Sequence, residues 1–218
     1  MEWTRQFDNY CERVDLTYWS EPINAITNAS FLIAALILWP RTRGLPLGRA
    51  LCVLLACIGV GSYLFHTHAT VWAVTADVVP ILLFTLLYFF AALFHFWGLP
   101  LWWALGGALA FLPYAAATVP VFNLLPFFQI SAGYWPIAML ILGFGLAVRG
   151  RAPHTSNGLI LGGALLCLSI TLRSFDELVC ARLPLGTHFL WHILNGVLLG
   201  WMIEVYRRHM LATRAARR

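Results

Sequence analysis

The sequence contains no lysine; all 14 of its cationic side chains are arginine. They stand in small clusters between apolar runs. No long basic stripe exists to track a phosphate backbone, so the formal net charge of +5 does not indicate a nucleic-acid partner. Charge of either sign is scarce, at 11% against roughly 25% in an ordinary soluble domain. The start of the chain lacks the basic residues and apolar stretch of a cleavable signal peptide. It mixes Glu2, Asp8, Glu12, Asp15 and Glu21 with aromatics, so the first span is expected to direct insertion. A soluble linker and an internal repeat are also missing. What is present is apolar, 61% of 218 residues, a composition for which water is not the main solvent.

A helix crosses the hydrocarbon core in about 17 to 25 mostly apolar residues. Seven segments come near that length, at 24–40, 50–66, 76–96, 101–119, 129–148, 157–175 and 186–206. The fold class expected is therefore an all-α integral membrane protein, a bundle of seven transmembrane helices over 24–206. An outer segment 1–23 precedes it and a basic tail 207–218 follows. Pro113, Pro120, Pro126 and Pro136 punctuate the fourth and fifth spans, so kinked or shortened helices are expected there. Arg41, Arg43, Arg49, Arg149, Arg151, Arg207, Arg208, Arg214, Arg217 and Arg218 all fall on one side of this topology. Only Arg5, Arg13, Arg173 and Arg182 fall on the other, together with every acidic residue except Glu204. The positive-inside rule then puts the N-terminus outside and the C-terminus in the cytoplasm, in a plasma or inner membrane.

Of the five cysteines, Cys52, Cys57 and Cys167 lie within spans and read as small apolar residues. Cys11 and Cys180 both fall in outer segments, where an oxidising exterior allows them to pair; two independent thiols are the alternative.

Ionisable side chains at membrane depth are costly and mark function by default. Ser62 and His66 are one helical turn apart at the outer end of span two, Asp77 opens span three, and His188 and His192 share a face at the outer end of span seven. Three imidazoles from two helix ends suit a tetrahedral zinc site with one open position. An ordinary hydrogen-bonded or interfacial histidine is the plain alternative for either pair alone. His68, His95, His154 and His209 sit in loops or at membrane edges and read that way. Zinc lowers the pKa of water to about 7 and polarises a carbonyl oxygen. With Asp77 to take the water's proton and Ser62 to donate a hydrogen bond to the oxyanion, the set has what amide hydrolysis requires. The plain alternatives are a helix-packing hydroxyl for Ser62 and an N-cap for Asp77, with Thr75 as competitor for the cap.

Tyr10-Cys-Glu12, Glu21-Pro-Ile-Asn-Ala-Ile-Thr-Asn28, Gly61-Ser-x-x-x-His66 with Asp77 following, and His188-x-x-x-Trp191-His192 together resemble the alkaline ceramidase family, membrane hydrolases related to the adiponectin receptors. The resemblance spans nearly the whole chain. It implies a seven-helix fold, an intramembrane zinc on His66, His188 and His192, and Ser62 and Asp77 in the catalytic centre. It also implies a calcium ion on the acidic N-terminal segment, with Glu12 and Glu21 at matching positions and Asp8, Asn9 and Asp15 as further candidates. The animal members read closer to Asp-Trp-Cys-Glu-x-Asn, whereas this chain has Asn9-Tyr-Cys-Glu-Arg-Val14 and a shorter spacing to Glu21.

The function expected is zinc-dependent cleavage of the N-acyl bond of ceramide or a similar lipid amide within the bilayer. Phe65, Tyr63, Trp191 and Phe189 are candidates to line an acyl cavity, and nothing in the sequence calls for an obligate protein partner. A non-catalytic lipid-sensing receptor with a structural zinc is the alternative, against which stand the oxyanion donor and base that such a site does not need. An ion or proton transporter is a third reading; the polar groups gather at one end and do not continue toward the other.

Overall fold

The computed structural model describes residues 2–216. Met1, Arg217 and Arg218 lie outside them, so the last two arginines of the expected tail do too. The described chain is helical, with one isolated β-bridge between Gln6 and Thr70. The helices are α1 (Pro22–Thr27), α2 (Ala29–Arg41), α3 (Pro46–His68), α4 (Val71–Ala91), α5 (Leu101–Leu109), α6 (Phe111–Asn123), α7 (Trp135–Ala147), α8 (Pro153–Val179) and α9 (His188–Ala216). Proline stands in the first turn of α1, α3, α7 and α8, where its missing N–H costs nothing and its fixed φ is already helical.

Among the described residues, six stretches are long and apolar enough to cross a membrane: Pro22–Arg41, Pro46–His68, Val71–Phe96, Leu101–Asn123, Pro153–Val179 and His188–Ala216. The fifth expected span, 129–148, is a shortened helix, as the prolines of that region suggested. Of 129–148, only the 13 residues of α7 are α-helical, about 20 Å of rise against a core of about 30 Å. Phe127–Ser131 ahead of it forms a 3₁₀ turn after Pro126. The fourth span breaks at Ala110, between α5 and α6, because Pro113 has no N–H to give the Leu109 carbonyl. The third starts earlier than expected, at Val71, so Asp77 lies inside α4 and caps nothing. Thr70 holds the N-cap position, and Thr75 bonds its hydroxyl to the Val71 carbonyl within the helix. The basic tail is a continuation of α9 as far as it is described.

The arginine-rich loops meet at one end of the bundle. Arg214 donates to the Gly44 carbonyl from the α9 terminus, and Glu204 binds Arg207 and Arg208 at 2.7 and 2.8 Å. The opposite end carries the N-terminal segment. It runs across the α3–α4 turn through Phe7 N–H to Ala69 O, Val71 N–H to Arg5 O and Trp72 N–H to Trp3 O. That turn needs the support, since Ala69 closes α3 at φ 48°, a left-handed conformation costing an L-residue roughly 1–2 kcal/mol.

Between these ends, α3 and α4 pack tightly against each other at Gly61. A side chain there would overlap the Ala76 carbonyl and crowd the Cα of Asp77. Pro80 removes the N–H that would otherwise bond that carbonyl, which leaves it free to face Gly61. The crossing brings the residue after Gly61, Ser62, beside Asp77. Gly61→Ala is expected to overpack this contact at a cost of about 1–3 kcal/mol, lowering the thermal unfolding midpoint of the detergent-purified protein. Gly106→Ala, which meets nothing within 4 Å, is expected to leave the midpoint unchanged.

Candidate metal centre and active site

His66 lies in the last turn of α3, and His188 and His192 lie one turn apart at the start of α9. All three are buried, and their rings converge with centroids 4.6–5.0 Å apart. Each offers a ligand nitrogen, and the three lie within 4.8 Å of one another, the one such His/Cys/Asp/Glu group among the described residues. The donor set suits zinc. Two buried ring nitrogens, His188 Nδ1 and His192 Nε2, have no hydrogen-bond partner. A buried polar atom normally has one, and a metal ion would satisfy such orphans. The residues present therefore fit the metal that the sequence suggested.

The surroundings hold the rings in place. Glu21 Oε2 accepts from His66 Nδ1 at 2.6 Å, and Thr27 Oγ1 meets His192 Nδ1 at 3.0 Å. Such contacts fix a metal ligand's tautomer and orientation. Ser30 donates to the His192 carbonyl, and Tyr10 stacks on His188 at 3.8 Å. Asp176 is buried at the end of α8 and accepts the N–H groups of Thr187, His188 and Cys11 at 2.6, 2.8 and 3.0 Å. It thus caps the start of α9 from another helix, while the hydroxyl of Thr187 just before α9 donates to the Leu172 carbonyl. Gly186, at φ +65°, lets the chain pass against the Asp176 carboxylate, where a Cβ would collide. Cys11 and Cys180 are joined beside it as a disulfide, with Cα atoms 5.3 Å apart.

Sequence reasoning did not find Arg13, Thr27, Ser30 or Asp176, and it gave Glu21 a different task. Thr27 lies within the quoted Glu21–Asn28 motif. Asp176 was one more outer-loop acid until the fold brought α8 against α9.

Glu21 carries two partners besides His66. Its Oε1 accepts from Arg13 Nε at 2.5 Å and its Oε2 from Asn24 Nδ2 at 3.1 Å. Burial alone would push the Glu21 carboxyl up; the hydrogen bonds and charges of His66 and Arg13 outweigh it and hold the group below its ordinary value. Glu12 is turned toward α1, where its two oxygens accept the N–H groups of Ile23 and Asn24 at 2.7 and 2.8 Å. The Asp15 carboxylate closes a local turn onto Thr17, and Asp8 and Asn9 are exposed. Among the described residues, the acids of this segment form no group of three whose ligand atoms come within reach of one ion.

Ser62, buried, and Asp77, half-buried, line one end of a largely apolar cavity that runs between the helices. Ile81, Phe84, Tyr88, Trp191, Leu198 and Met202 are among its walls, and Asp77 is the one carboxylate that lines it. From Asp77 to Ala92, both on its lining, the rise is about 22 Å. Of the aromatics expected along it only Trp191 takes part. Phe65 packs against Tyr10 and His66 instead, and Tyr63 pairs its hydroxyl with Tyr18 at the surface.

Compared with known proteins, residues 7–217 match the model of the Ceramidase family. No curated protein matches the sequence. Replacing His66, His188 or His192 by Ala is expected to lower bound zinc severalfold, read as metal content per mole of purified protein. Full occupancy in all three variants would show that the imidazoles are ordinary buried side chains.

Proposed function

The chain belongs to the ceramidase family, hydrolases of the amide C–N bond of ceramide, and from that premise we propose that it is a zinc-dependent intramembrane amidase. It cleaves the N-acyl bond of ceramide or a closely similar lipid amide to a fatty acid and a long-chain base. The observation that carries this reading is the junction of two features. Three buried histidines, two of them with an orphaned ring nitrogen, converge at one end of the bundle, and a long apolar cavity has on its wall Asp77, Ser62, one turn before His66, and Trp191, the residue before His192.

His66, His188 and His192 would hold the metal, which when bound supplies Lewis acidity, making water nucleophilic near neutral pH and drawing charge from a carbonyl. The chain's own residues do the rest. Asp77 accepts a proton from the attacking water and returns it to the departing amine nitrogen. Ser62 donates its hydroxyl hydrogen to the oxyanion that develops on the amide carbonyl. Glu21 and Thr27 keep two of the imidazoles in a fixed orientation. The apolar cavity takes an acyl chain and excludes water from it, which leaves the amide at the polar end.

The lipid products are separated by screening purified protein against ceramides, N-acyl amines and lipid esters by mass spectrometry. Asp77→Asn is expected to retain zinc and lose most turnover. Ser62→Ala is expected to retain zinc and lose on the order of 10²–10³ in turnover if its hydroxyl is the main oxyanion donor. Wild-type turnover by Asp77→Asn would sink the proton-transfer assignment. Failure of the wild type on every lipid would favour a receptor.

The arginine bias orients the molecule. With the Arg214 end in the cytoplasm, the catalytic end faces outward and meets lipid from the outer leaflet. In intact cells, a cysteine introduced near Asp8 is expected to react with an impermeant maleimide and one near Arg214 is not; the opposite pattern would invert the topology.

A further inference from the structure

The acidic N-terminal segment that the family resemblance assigns to calcium has no free carboxylate cluster to offer. Calcium takes about six to eight oxygen ligands. Glu21 is filled by Arg13, His66 and Asn24, Glu12 by two backbone N–H groups of α1, and Asp15 by its own turn. The position at which the animal pattern has Asn is Val14 here, whose side chain carries no oxygen. What lies buried among these groups is a guanidinium. The Arg13 side chain is 1% exposed and donates in three directions: Nε to Glu21 Oε1 at 2.5 Å, one terminal nitrogen to the Asp15 carbonyl at 3.1 Å, and the other to the His66 carbonyl at 3.0 Å.

We propose that Arg13 is a built-in cation that stands in for a divalent ion at this place, and that the segment takes no calcium. Its planar fork ties three things together: the N-terminal turn, the Glu21 carboxylate, and the backbone of the residue whose ring that carboxylate orients. Arginine suits the task, because it stays charged at any working pH and its donors are fixed in direction. The buried pair Arg13–Glu21 is also neutral as a unit, so Glu21 has no uncompensated charge to offer a second cation, and the guanidinium repels one. Arg13 is thus a positioning residue. It acts on the metal centre through Glu21 and His66, and the inference rests on reading His66 as a ligand.

The test uses the full-length, zinc-loaded protein. Calcium chloride is titrated to about 5 mM, above the range of weak extracellular calcium sites at about 10⁻⁴–10⁻³ M, while binding heat and the thermal unfolding midpoint are followed. Neither is expected to change. In parallel, zinc affinity is measured by competition with a chromophoric chelator. Arg13→Met is expected to weaken it by about 10–100-fold, the usual loss when an outer partner of a ligand is removed. Arg13→Lys, which keeps the charge and can still reach Glu21, should recover part of it. Calcium binding that raises the wild-type midpoint would overturn the proposal, as would unchanged zinc affinity in a folded Arg13→Met protein. If Arg13→Met does not fold, the wild-type calcium titration decides. A wild type that holds no zinc would remove the metal-centre reading itself, and this inference with it.

Discussion

Three imidazoles are buried within reach of one another at one end of an apolar bundle, and the local structure is organised around that constraint. Buried polar nitrogens need partners, and few can be found among lipid-facing residues. The chain supplies them from outside the spans and from helix ends. Glu21 comes from the residue before α1, Thr27 from its last turn, and the backbone of His188 is held by Asp176 at the end of α8. The N-terminal segment is drawn over the bundle by the same needs, with Tyr10 covering His188 and Arg13 countering the charge of Glu21.

A second constraint acts between the helices. The α3–α4 crossing depends on two local departures from good helix chemistry, a glycine without a side chain and a proline without a donor. Each on its own lowers helix propensity. Together they let Ser62 approach Asp77 across a helix interface, which neither helix could arrange alone. The shortened α7 and the broken α5–α6 pair lie away from the three histidines. Tyr134, just before α7, still contributes a wall of the cavity and packs edge-on to Trp191.

The two ends of the molecule differ in kind. At the arginine-rich end, Glu204 is shared by two arginines on its own helix and Arg214 reaches back to the α2–α3 loop. These partly exposed contacts contribute little to stability. At the other end Arg13, Glu21 and Asp176 are buried and hydrogen-bonded. There a single lost partner costs far more, because the group left behind cannot recover it from water.

The sequence by itself determined the helical membrane class and the histidine positions. Hydropathy over about 20 residues and the one-turn spacings of Ser62–His66 and His188–His192 are local properties, readable along the chain. It also marked the region where prolines would interrupt or shorten helices, and α7 is the short one there. The partner of each polar group was decided only by the tertiary structure. Glu12 and Glu21 looked alike as acids of one segment, yet one caps α1 and the other bonds a ring 45 residues away. Asp77 looked like the start of a helix because span three was read from residue 76, but α4 begins at Val71 and carries it into the cavity wall. The physical reason is common to these cases: a helix face follows from spacing, whereas which carboxylate is buried beside which cation depends on how separate elements pack, and no local pattern encodes that.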